Sequence, residues 1–150
     1  MIKARFAHTN IVAHDWKRIA AFYTDVFGCT PVPPERKHRG EWLSSLVGVR
    51  DATIDGLHLR LPGCGEDGPT LEVFSYGASP DVSPPSADRP GFTHIAFLVE
   101  DVPAARDAVL AHGGSQLGEL VTRTVPGAGE LTVVYMRDPE GNIVEVQSWA

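Results

Sequence analysis

The chain has 150 residues, 43% of them hydrophobic, and a formal net charge of −6, with 13 basic against 19 acidic side chains. That length and apolar content suit one compact domain, or two small half-domains that share an interface. The acidic balance and the absence of a basic stripe argue against a nucleic-acid partner, and no stretch reaches the ~20 apolar residues that span a bilayer.

Taken in chain order, Met1–Phe6 contains no long apolar run, so a cytoplasmic protein is expected. Ala4–Ala13 is rich in β-branched and aromatic residues and is predicted as a strand. Asp15 is a suitable N-cap, because its carboxylate accepts the free N–H groups of a first helical turn. Behind it, Trp16, Ile19, Ala20, Tyr23, Val26 and Phe27 form a helical stripe that Gly28 ends. Pro31, Pro33 and Pro34 interrupt the next segment, which proline permits only at an edge or a bulge. Glu35–Asp51 reads as an irregular insertion holding a short helix over Glu41–Val47, and Arg36–Arg39 within it as a solvated loop, with a cap over a pocket that binds a carboxylate or phosphate as the alternative. Ala52–Leu61 and Thr70–Tyr76 are predicted strands joined by Gly63–Pro69, and Ser79–Pro90 is an extended Pro- and Ser-rich segment.

The second part starts the same pattern again. Phe92–Val99 is a predicted strand, Asp101 an N-cap, Pro103 a first-turn residue and Gly113-Gly114 a helix stop. Three strands follow, at Ser115–Thr124, Leu131–Arg137 and Ile143–Trp149, the last two joined by the turn Asp138–Asn142. Phe6, His8, Asp15 and Gly28 match Phe92, His94, Asp101 and Gly114 in one register, 86 positions apart (94 − 8). Leu71-Glu72-Val73 likewise resembles Val144-Glu145-Val146, at an offset of 73 (145 − 72). The first copy therefore carries about thirteen extra residues (86 − 73), which the insertion accommodates. The fold expected is α+β, with two βαβββ modules forming a curved mixed sheet around a metal-containing cavity. Module 1 is 1–78, the linker 79–91 and module 2 92–150.

Strand side chains alternate faces. His8 and Asn10 face away from the helix while Thr9 and Ile11 face it, and the final strands likewise turn Glu72 and Glu145 away from the helices. Each half thus places one His and one Glu on the same face of its sheet. Burying two carboxylates without a cation is costly, so His8, Glu72, His94 and Glu145 are expected to hold one divalent metal ion, and their mixed N/O donors suit Zn, Ni, Co, Mn or Fe. Asn10, His58, Arg60, Phe74 and Gln147 are candidate substrate-binding residues. For Arg60, a solvated position on its strand is the favoured alternative. His14, His38 and His112 lack a repeat partner and are expected at the surface. Cys29 and Cys64, in different contexts, are expected to be reduced and structural.

The residues that carry this pattern resemble the vicinal-oxygen-chelate superfamily, which includes glyoxalase I, bleomycin resistance proteins and extradiol dioxygenases. They are His8 with the segment Asp15–Gly28, Thr70-Leu71-Glu72-Val73-Phe74, Gly91–Phe97 and Arg137–Glu145. The resemblance covers nearly the whole chain. It implies metal ligands on the first and last strands of each module, at His8, Glu72, His94 and Glu145, and this complete set is most similar to glyoxalase I. The implied reaction is that of a lyase or isomerase that moves a proton at a carbon next to a carbonyl through an enediolate, with Glu145 or Glu72 as the catalytic base. Alternatives are an epimerase of an acyl-CoA type substrate, an Fe(II) extradiol dioxygenase, and a drug- or metabolite-sequestering binding protein. A small-molecule substrate and a homodimer are the expected partners.

Overall fold

The computed structural model describes residues 1–150. Its contacts divide the chain into two units, Met1–Asp81 and Val82–Ala150. In all there are three helices and nine strands, in two mixed sheets.

The first unit contains β1 (His8–Val12), α1 (Trp16–Phe27), β2 (Thr30–Arg39), α2 (Glu41–Val47), β3 (Thr53–Arg60) and β4 (Thr70–Tyr76). Its sheet has the order β1-β4-β3-β2, with β1 and β4 parallel and the other pairs antiparallel. α1 begins where the Asp15 carboxylate accepts from the N–H groups of Lys17 and Arg18, both at 3.1 Å. It ends at Gly28, whose φ of 70° is the left-handed conformation that suits a residue without Cβ. Ile19, Ala20, Phe22 and Tyr23 are its buried face, and the helix lies on β3 and β4. Those strands present Leu57, Leu59, Leu71 and Val73, all buried. Each such side chain removed from water contributes about 2 kcal/mol. The opposite side of the sheet is covered at one end only, where Leu43 of α2 packs with Ala52, Ile54 and Phe74. The rest of that side is open, and it carries the site described below.

β2 shows where the prolines fit. It is the edge strand, and its register against β3 shifts between Val32 and Arg36, so Pro33 and Pro34 fall in the irregular stretch. After the shift the pairing resumes from Arg36 to Arg39. The expected solvated loop at Arg36–Arg39 is therefore corrected to a strand, with side chains held on alternate faces.

The second unit contains β5 (His94–Leu98), α3 (Val102–Ala111), β6 (Ser115–Gln116), β7 (Val121–Val125), β8 (Gly129–Arg137) and β9 (Ile143–Trp149). The sheet runs β5-β9-β8-β6, with β7 also pairing with β8. α3 starts at Asp101, which accepts from the Ala104 N–H at 2.8 Å, and packs on β8 and β9 through Val102 and Val109. Val134, Met136, Val144 and Val146 are the buried residues of those strands. The single strand expected over Ser115–Thr124 is two short ones. The N–H groups of Leu117 and Gly118 both donate to the Tyr135 carbonyl, so two residues oppose one and the ladder breaks there. The helix stop expected at Gly113-Gly114 is found, with the two glycines in different roles. The left-handed residue after α3 is Gly113, with φ 85°. Gly114 is small for another reason, because a Cβ there would stand 2.5 Å from the Arg137 carbonyl oxygen.

Candidate metal centre and its cleft

The ladders repeat in the two units. β1 and β4 set Asn10 opposite Glu72, and β5 and β9 set Ala96 opposite Glu145. In each unit the histidine two residues earlier on the parallel strand, His8 or His94, lies on the same face as the carboxylate. The side chains meet. His8 Nε2 is 3.5 Å from a Glu72 oxygen, and His94 Nε2 is 3.1 Å from a Glu145 oxygen. Both glutamates are 15% exposed, so each carboxylate is largely withdrawn from water while one edge stays accessible.

In the first unit the pair has a third member. His58 faces Glu72 directly across β3 and β4, and its Nε2 is 2.9 Å from Glu72 Oε1. One donor atom each from His8, His58 and Glu72 lie within 4.8 Å of one another. The second Glu72 oxygen also accepts from the Asn10 amide at 3.1 Å. His58 Nδ1 is 2.8 Å from the Thr70 hydroxyl, and the His58 ring stands edge-on to those of His8 and Phe74. Burial lowers the pKa of His58. The Glu72 charge opposes that shift, the positive charges of Arg36 and His8 reinforce it, and the hydrogen bond to Glu72 again opposes it.

In the second unit the position facing Glu145 across β8 and β9 is Tyr135. Its phenol is hydrogen-bonded to Glu145. Burial raises the phenol pKa, and the adjacent Glu145 charge and that hydrogen bond add to the rise. The His94 ring lies 5.0 Å from the Tyr135 ring, and His94 Nδ1 is 3.1 Å from the Thr93 hydroxyl.

The donors of both units fit a divalent transition metal. Imidazole nitrogens and carboxylate oxygens are the ligand types such ions take, and His58 and His94 each have a hydroxyl within reach of the ring nitrogen that would not bind metal.

A cleft of about 420 Å³ opens beside the three residues of the first unit. Asn10, His58 and Phe74, singled out in the sequence, line it together with His8 and Glu72. So do Arg36 and His38 from β2, and Trp42, Leu43, Leu46 and Val47 from α2. For Arg36 and His38 this is the pocket-capping alternative rather than the favoured solvated loop. Once the strand is recognised, the two-residue period places both on the cleft side. His38 also stacks edge-on against Trp42. Arg60 is half-buried outside this cleft, with its Nε fully buried and without a hydrogen-bond partner. Gln147 accepts from the Trp149 indole N–H at 2.9 Å. His14 and His112 lie at the surface, as expected, His14 3.8 Å from Asp81 and His112 bonded to the Ala108 carbonyl. Both cysteines are free thiols, with Cys29 buried and Cys64 exposed. No helix is long and apolar enough to cross a membrane.

Comparison with known proteins places these observations in a family. The chain is 26% identical over 148 residues to a probable lactoylglutathione lyase of Vibrio parahaemolyticus, covering 97% of this chain and 91% of that one. It is also 26% identical over 140 residues to the uncharacterized protein YaeR of Escherichia coli, covering 93% and 92%. Among solved structures, a glyoxalase family protein of Bacillus cereus superimposes with a TM-score of 0.82 at 16% identity, covering 99% of this chain and 96% of the other. The fosfomycin resistance protein FosX of Listeria monocytogenes does so with a TM-score of 0.62 at 15% identity, covering 100% and 96%. At such identities the structural likeness speaks for the fold alone. The family model for the glyoxalase/bleomycin resistance protein/dioxygenase superfamily matches residues 5–146, and the chain belongs to that superfamily.

Proposed function

We propose that this protein is a metal-dependent lyase or isomerase of glyoxalase I type, with His8, Glu72, His94 and Glu145 as its metal ligands. The observation that carries the reading is the recurrence of one His–Glu pair at the same ladder position in both units, at 3.5 and 3.1 Å. The name of the Vibrio relative, a probable lactoylglutathione lyase, points the same way. Held by these four residues, a divalent cation would supply Lewis acidity toward substrate oxygens. Glu145 or Glu72 takes the proton from the carbon next to the carbonyl and returns it at the neighbouring carbon. Tyr135 holds Glu145, and Asn10 holds Glu72. The cleft of the first unit receives the rest of a small-molecule substrate, with Arg36 available to an anionic group and Trp42 and Phe74 to an apolar one. A cytoplasmic homodimer completes the proposal.

The test is turnover of the hemithioacetal of a 2-oxoaldehyde before and after treatment with a chelator. Loss on chelation and recovery with Zn, Ni, Co or Mn is expected. Turnover that chelation leaves untouched would overturn the proposal.

A second reading has its own support. Two imidazoles and one carboxylate, as at His8, His58 and Glu72, are the donors used by non-haem Fe(II) oxygenases. Oxygen consumption by the Fe(II)-loaded protein with a catechol, and no turnover of the hemithioacetal, would favour it over the isomerase.

A further inference from the structure

We propose that His58 is itself a metal ligand, so that His8, His58 and Glu72 form a chelate lying wholly within the first unit. The inference rests on the metal-dependent reading above and adds a donor to it.

The first argument is distance. In a tetrahedral site with metal–nitrogen bonds near 2.0–2.1 Å, donor atoms stand about 3.3 Å apart. His58 Nε2 is 2.9 Å from one Glu72 oxygen, and His8 Nε2 is 3.5 Å from the other. The two separations run to the two oxygens of one carboxylate, and one donor atom from each of the three residues lies within 4.8 Å of the others, which is close enough for a shared cation.

The second argument is the proton on His58. Metal-bound histidines usually donate the opposite ring N–H to an oxygen, which fixes the tautomer. The Thr70 hydroxyl is 2.8 Å from Nδ1 and can accept that proton, leaving the Nε2 lone pair aimed at Glu72 Oε1. In that tautomer a cation takes the place of the proton that Nε2 otherwise shares with Glu72 Oε1.

The third argument is rigidity and access. His58 and Glu72 are paired positions on adjacent strands, and Thr70 is next but one to Glu72, so one stretch of ladder fixes all three. His8 is 44% exposed, whereas His58 and Glu72 are 19% and 15% exposed. The cluster is therefore open on the His8 side and closed behind. The second unit has no such triad, because Tyr135 occupies the position equivalent to His58. The first unit is thus the stronger binding half, and it should retain metal when the donors of the second are removed.

The experiment uses the full chain, stripped and reloaded with Co(II), and reads X-ray absorption fine structure together with metal content. The number of bound imidazoles should fall by one in His58→Gln. The His94→Ala/Glu145→Ala double variant should keep stoichiometric Co(II), with affinity lowered about 10-fold or more relative to the parent. An unchanged imidazole count in His58→Gln would overturn the proposal even if affinity fell, since His58 would then only position Glu72. Complete loss of metal from the His94→Ala/Glu145→Ala variant would also overturn it. Should His58→Gln fail to fold, the imidazole count of the parent protein decides. Three bound imidazoles require His58, and two refute it. Undiminished metal binding by His8→Ala/Glu72→Ala would instead sink the underlying metal-site reading.

Discussion

Tyr135 stands to Glu145 as His58 stands to Glu72: each is the direct partner of the glutamate across an antiparallel strand pair. One fold element, duplicated, thus places a different chemistry behind each carboxylate. In the first unit the neighbour is an imidazole with a lone pair to offer. In the second it is a phenol that donates a hydrogen bond, and burial raises its pKa.

The phenol thus holds Glu145 in place, and Tyr135→Phe tests this. The substitution removes one hydrogen bond to a charged group, worth about 1.5 kcal/mol. If Glu145 is the catalytic base, kcat should fall about 10-fold, since 1.4 kcal/mol is a factor of ten. The melting temperature should stay nearly constant, because the ring itself is retained. Unaltered kcat in Tyr135→Phe would show that the phenol does not position the base.

The two glutamates should respond differently to loss of charge. Glu145→Gln and Glu72→Gln keep the shape of each side chain and remove its basicity. The variant lacking the catalytic base is expected to lose about 100-fold or more in turnover, the usual scale for a positioned general base. The other should lose mainly metal affinity, read as a higher metal concentration for half-maximal activity. Circular dichroism should match the parent in both. Parent-like turnover in both variants would rule out a carboxylate base.

Much of this arrangement was legible in the sequence. Period-two alternation in Ala52–Leu61 and Thr70–Tyr76 told which residues leave the helix-covered face, and the internal repeat told which of them recur. Strand register was not legible. Whether His58 stands beside Glu72 or one rung away depends on the length and turns of the Gly63–Pro69 connection, and no local preference in the sequence encodes that. The strand through Arg36–Arg39 was hidden for a different reason. Pro31, Pro33 and Pro34 are strong signals against a ladder, and only an edge position with a register shift accommodates them. The edge or bulge that the prolines require is found, but how far the strand runs beyond them is not encoded locally, so the alternation that turns Arg36 and His38 to the cleft is not readable from the sequence. The break at Leu117 and Gly118 was invisible because a bulge needs a partner carbonyl from a distant strand, here that of Tyr135.

Gly56 is a position where the site limits the size of a side chain. It is buried on β3 opposite Phe74, two residues before His58. A Cβ at Gly56 would overlap the Val73 carbonyl oxygen and the Phe74 ring. Gly56→Ala should therefore push β3 away from β4 and destabilise the protein by roughly 1–3 kcal/mol, as overpacking does. Because the same ladder aligns His58 with Glu72, metal affinity should fall along with the denaturation midpoint. A parent-like midpoint would mean that the strands absorb the methyl group without moving.

Asp138 is buried, at 2% exposure, and organises the turn that leads into β9 and Glu145. Its Oδ1 accepts from the N–H groups of Glu140 and Asn142 at 2.9 and 3.0 Å, and its Oδ2 accepts from the Asn142 amide at 2.8 Å. Asp138→Ala strands these donors in a partly buried turn and should lower stability by about 3 kcal/mol. Asp138→Asn keeps one acceptor oxygen and should recover part of that loss. Equal midpoints for the Ala and Asn variants in urea titration would show that the carboxylate bonds do not hold the turn.

The two thiols should separate cleanly by reactivity and by pH. Burial pushes the Cys29 thiol up to about 11 from an ordinary 9.0, and it is 1% exposed, whereas Cys64 is exposed. The thiolate is the reactive form. A disulfide reagent at pH 8 should therefore label Cys64 quickly and reach Cys29 only in denaturant. Stability follows the same shift. The unfolded chain releases the Cys29 proton near its ordinary value, whereas the native chain keeps it to about 11. Between those two values the unfolded state binds fewer protons, so native stability falls as pH rises through that window and is unaffected by this group below it. Cys29→Ala should remove this alkaline decline while introducing a pH-independent loss from the small cavity. Rapid labelling of two thiols in the native protein, or an alkaline decline of equal slope in parent and Cys29→Ala, would contradict a thiol sealed from solvent.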